Sequence, residues 1–146
     1  MRMVSIVERD FLIEFLRSIF KKTLHSTLGG SASEAVLFFL KKGLSRDPFD
    51  VFWEDPRAFY RGMERVFGVG AEVLIKLLVS RINSEFGLNI SPGHFLDLMR
   101  NGDQSSIEEI RSLIKKVAKL YESEYGVNGR VGKVPAEVSG SDEAIS

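Results

Sequence analysis

Cysteine is absent from all 146 residues. Disulfides, thiolate nucleophiles and cysteine-ligated zinc are thereby excluded, and the absence suits a reducing cytoplasm, which is the expected location. Net charge is also absent. Twenty basic residues balance twenty acidic ones, so no global field draws in nucleic acid or an anionic membrane. No apolar run approaches the ~20 residues that a membrane helix needs. The N-terminal stretch Met1-Arg2-Met3-Val4 meets charge too early for a signal peptide. Histidine occurs only twice, at His25 and His94.

The composition that remains is 44% hydrophobic and 27% charged, that of an ordinary globular protein. A chain of this length buries ~68–70% of its unfolded surface, enough for a core without covalent staples. Its dominant pattern is helical. Over residues 70–86, Val73, Leu74, Leu77, Leu78 and Ile82 recur at three- and four-residue steps. Ile75, Val79 and Phe86 widen that face and leave a narrow polar strip. A helix this apolar has to be covered on several sides, so residues 71–86 are expected as a central helix, with Leu77 and Leu78 in the core.

The other helices follow from punctuation. Phe11, Leu12, Phe15, Leu16, Ile19 and Phe20 mark a first helix over residues 5–24, ended by Gly29-Gly30. Ser31 and Glu34 have the spacing of a capping box before a second helix over residues 33–42. Asp47-Pro48 and Asp55-Pro56 each read as an aspartate cap with proline in the first turn. They open a short turn holding Phe49, Phe52 and Trp53, then a helix over residues 56–67. Gly68-Val69-Gly70 ends that helix. Ser91-Pro92 starts a brief helix reaching Arg100. Ile107, Ile110, Ile114, Val117 and Tyr121 mark a last one over residues 106–124. Residues 126–146 are rich in glycine and serine and are expected to be disordered.

Chemical motifs are scarce. Gly68-Val69-Gly70 precedes a helix, but lacks the strand and third glycine of a dinucleotide fingerprint and any P-loop lysine. Asp47, Asp50, Glu54 and Asp55 lack calcium-hand spacing, and two of them are accounted for as caps. His25 and His94 stand far apart with no orienting partner marked by spacing. No catalytic residue, metal site or cofactor is expected. A DNA-reading helix-turn-helix over residues 56–86 would present leucines where base edges require polar groups.

Two basic rows and one aromatic group stand out. Arg57, Arg61 and Arg65 fall four apart, as do Arg111, Lys115 and Lys119. Like charges at that spacing cost ~0.2–0.5 kcal/mol per pair, which nucleic-acid phosphates or an acidic partner would offset. Phe49, Phe52 and Trp53 form an apolar excess that reads as a surface contact patch.

The stretch Asp55-Pro56-Arg57-Ala58-Phe59, with Met63, Phe67-Gly68-Val69-Gly70-Ala71 and Leu74-Ile75, resembles a small all-helical domain of archaeal sensory and signalling proteins. It serves there as an output domain and also occurs as a free-standing protein of unknown function. The likeness spans residues 11–88 and brings no catalytic residues. It implies a cytoplasmic module that transmits a signal by contact. The expected architecture is all-α: five or six helices in an irregular bundle around residues 71–86, as a single helical domain over residues 1–125. The expected function is non-enzymatic protein–protein contact, with a homodimer as one form of partner, no membrane, and nucleic-acid binding as the alternative.

Overall fold

A computed structural model of the chain describes residues 6–125. The tail expected to be disordered lies outside them. The described residues form seven α-helices and no strand: α1 (Ile6–Leu28), α2 (Gly30–Leu44), α3 (Pro48–Glu54), α4 (Pro56–Phe67), α5 (Gly70–Phe86), α6 (Pro92–Asn101) and α7 (Gln104–Tyr125). None of these helices is long and apolar enough to cross a membrane. The chain divides into two compact units, Met1–Ile114 and Lys115–Ser146, with the boundary inside α7.

The two Asp-Pro starts are built as the sequence implies. Asp47 accepts from the N–H groups of Phe49 at 2.8 Å and Asp50 at 3.4 Å. Asp55 accepts from Ala58 N–H at 3.2 Å. Ser91 does the same for α6, accepting from His94 N–H at 3.1 Å. Each cap satisfies a backbone donor that the first helical turn leaves without a partner. Gly68 closes α4 at φ 60°, ψ −132°, a conformation that a Cβ would obstruct, and α5 begins two residues later.

The capping box of Ser31 and Glu34 does not form. α2 begins at Gly30, its N-cap Gly29 makes no side-chain bond, and φ at Gly29 is 88°. Ser31 is therefore already inside the helix. Ser33 instead donates its hydroxyl to the Gly30 carbonyl at 2.9 Å. A glycine that can turn sharply starts the helix earlier than the serine spacing indicates.

In the first unit, an aromatic cluster ties α1, α3 and α4 together. Phe20 meets Phe49 and Phe59 edge-on, with ring centroids 5.4 and 5.5 Å apart, and Phe52 lies 4.8 Å from Phe59. α4 packs against α2, α3, α5 and α6, whereas α5 packs against α1, α4 and α6. α5 buries Ala71, Leu74, Ile75, Leu78, Val79 and Phe86 along one side. Val73 is exposed, and Leu77 is 39% exposed against 1% for Leu78. At 100° per residue, positions 73 and 77 fall opposite the buried arc. Helical spacing alone made both sides look equally fit for a core.

The α5–α6 connection is pinned by one side chain. Asn83 donates its amide to the Ile90 carbonyl and accepts from Ile90 N–H, both at 2.8 Å. Arg100 then joins α6 to its neighbours, donating to Glu72 at 3.0 Å and to the Tyr60 hydroxyl at 3.3 Å.

Candidate functional site

The expected aromatic contact patch is core. Phe49, Phe52 and Trp53 are all buried. α3 lies against α1, α2 and α4, so the aromatic excess of that short helix fills the space between longer ones. No sequence pattern shows which neighbours a seven-residue helix will meet.

The most exposed aromatics lie instead on α2, while Phe11 on α1 is 38% exposed. Phe38 is 60% and Phe39 53% exposed, and their rings meet edge-on at 5.4 Å. The buried face of α2 carries Ser33, Val36 and Leu40. Ser31, Glu34, Ala35, Phe38 and Lys42 fall on the opposite side by helical geometry, and all five are exposed. Glu34, Lys41 and Lys42 form no ion pair or side-chain hydrogen bond among the described residues. The run Val36-Leu37-Phe38-Phe39-Leu40 carries no periodicity that marks a wet side, yet only Val36 and Leu40 of it are buried.

The first basic row is exposed as expected. Arg57, Arg61 and Arg65 face solvent on α4, and none forms an ion pair among the described residues. The Arg57 stem has a second role. It lies over Gly102, where an added Cβ would come within 2.9 Å of it. The second row is not uniform. Arg111 donates Nε to the Trp53 carbonyl at 3.0 Å, and its guanidinium sits 5.2 Å above the Trp53 ring. That arginine anchors α7 to α3, so its charge is engaged. Lys115 is half-buried and Lys119 exposed, both in the second unit.

Three of the four carboxylates around Phe52-Trp53, those of Asp47, Glu54 and Asp55, have structural partners. Asp47 and Asp55 cap helices. Glu54 pairs with Arg46 at 2.9 Å and with Arg9. Arg17 donates to Asp47 at 2.9 Å and lies 5.2 Å from the centre of the Phe49 ring. Burial alone opposes the charged form of Asp47. The bond and charge of Arg17 together with the two capped N–H groups outweigh it and hold the carboxyl below its ordinary range. Among the described residues, no three histidine or carboxylate side chains gather where they could hold a metal ion.

His94 has a partner that its sequence surroundings do not show. Its Nε2 lies 2.8 Å from Glu109, across the start of α6 and the start of α7. Both side chains are about half exposed, and the pair stands on the open surface.

One groove of about 490 Å³ opens between the end of α1 and α5. Thr23, Ser26, Thr27, Ser80, Ser84, Arg81 and Glu85 supply its polar wall, and Leu77 lies beside them. Arg81 donates Nη1 to Ser26 at 3.1 Å, while its Nε is buried without a partner among the described residues. The groove unites residues more than fifty positions apart, a juxtaposition invisible in the sequence. No protein-family model, curated protein or solved structure matches this chain.

Proposed function

We propose that this chain is a non-enzymatic helical module that acts by protein–protein contact, as the output domains it resembles are expected to do. One observation carries the reading: Phe38 and Phe39 stand edge to face and more than half exposed on α2. Isolated apolar residues on a surface are ordinary. Two adjacent aromatics beside an exposed alanine form a patch whose removal from water favours association. Aromatic residues, phenylalanine among them, are enriched at the centres of protein interfaces. The test is a Phe38→Ser, Phe39→Ser variant compared with the wild type by sizing and by affinity capture. Its thermal melt should match the wild type, since both rings are exposed, and its association should be lost. A wild-type chain that stays monomeric and retains no protein would overturn the reading.

A second reading rests on Arg57, Arg61 and Arg65, which are exposed and unpaired among the described residues. In this reading the α4 row binds nucleic-acid phosphates. Affinity should then fall steeply with salt, and fall again in Arg61→Glu, Arg65→Glu. A gel shift showing no complex at low salt would dismiss it.

A further inference from the structure

We infer that the partner of the α2 face is a second copy of this chain, with the two α2 helices crossing antiparallel about Phe38. The inference rests on the contact reading above and adds the identity of the partner. Its basis is the placement of charge along the exposed face. Glu34 lies four residues before Phe38, Lys41 three residues after it and Lys42 four. At 1.5 Å per residue these charges stand roughly 5–6 Å to either side of the central ring.

A two-fold axis through the middle of the face exchanges its two ends. Glu34 of one copy then comes beside Lys41 and Lys42 of the other, and the same contact repeats on the far side of the axis. Parallel pairing would set Glu34 against Glu34 and lysine against lysine, so the charges select the antiparallel arrangement. Within the chain these three side chains are uncommitted among the described residues. Their charges are therefore available to a partner at no cost to an existing pair. Ala35 adjoins Phe38 on the same face and is small enough to let a facing helix approach. The Phe38 and Phe39 rings supply the apolar centre, and the charges form its rim.

Sedimentation equilibrium of the full chain, up to sub-millimolar concentration, tests the pairing through charge reversal. The wild type should show a concentration-dependent monomer–dimer equilibrium. Glu34→Lys alone, and Lys41→Glu with Lys42→Glu, should each weaken it by about tenfold or more, because each sets like charges against one another. Combining all three reversals exchanges the two ends and should restore affinity to within a few-fold of wild type. Matching thermal melts establish that the variants are folded.

A dimer insensitive to every reversal would overturn the α2 pairing by showing that another surface is used. A strictly monomeric wild type would overturn it as well. In that case, affinity capture of a protein lost on Phe38→Ser would leave the contact reading standing. Capture of nothing would end both.

Discussion

Asp47 does two things at once: it caps α3, and it receives Arg17 from α1. Its lowered pKa fixes the direction of a pH effect. A carboxyl held below its unfolded value of ~3.9 stabilises the fold above that pH, and the contribution is lost as pH falls through the lower folded value. Glu72 shifts the same way, chiefly through its bond with Lys76 and then that with Arg100. Stability should therefore decline in acid below about pH 4. Asp47→Asn keeps the cap but loses the charge. It should lower stability near neutral pH and flatten the acid slope, as read from melts at stepped pH. On α5, Leu78→Ala should cost ~2–5 kcal/mol, the range for an emptied core site. Leu77→Ala should cost less than ~1 kcal/mol, because that side chain is already 39% exposed. Equal losses in the two melts would show that α5 is covered on both sides.

Individual helices depend on how they end, and here Ser45 stands apart. It is the one non-glycine among the described residues with positive φ, at 59°. Its N–H donates to Lys41 O at 2.8 Å, closing α2 as glycine ordinarily does. A left-handed residue with a Cβ is strained. Ser45→Gly should raise stability by ~0.5–1 kcal/mol once the extra freedom of glycine in the unfolded chain is deducted, a gain that urea unfolding can measure. Helix ends of this kind explain what was legible in the sequence. Asp47-Pro48, Asp55-Pro56 and Ser91-Pro92 act within four residues of themselves, and all three caps stand where their spacing put them. Packing direction is a longer-range property. The sequence offered Phe38, Phe49, Val73 and Leu78 as equally apolar; the meeting of α3 with α1, α2 and α4 puts Phe49 inside, and the side of α2 turned to its neighbours, which carries Val36 and Leu40, leaves Phe38 outside. His94 with Glu109, and Ser26 with Arg81, were hidden for the same reason.

For the whole molecule, the question is which class of interaction holds the fold. Besides His94–Glu109, six pairs join a lysine or arginine to a carboxylate among the described residues: Arg9–Glu54, Arg17–Glu14, Arg17–Asp47, Arg46–Glu54, Lys76–Glu72 and Arg100–Glu72, with members 24% to 69% exposed. Exposed pairs contribute ~0–1 kcal/mol each, and salt screens them. The same salt relieves the repulsion along Arg57, Arg61 and Arg65, so the two effects oppose each other. The ring cluster around Phe59 is of another order. Phe59 is fully buried and touches Phe20, Phe49 and Phe52, and Phe59→Ala should cost ~3–5 kcal/mol. That corresponds to a fall in melting temperature of roughly 10 °C or more for a chain of this size. Raising sodium chloride from low salt to ~0.5 M should move the melting temperature by no more than about 5 °C, because the exposed pairs and the arginine row partly cancel. If salt lowered the melting temperature by more than Phe59→Ala does, the charged surface rather than the ring cluster would be the main support of the fold. The α2 charges could not then be reversed without regard to stability, and the matched melts required of those variants would show it.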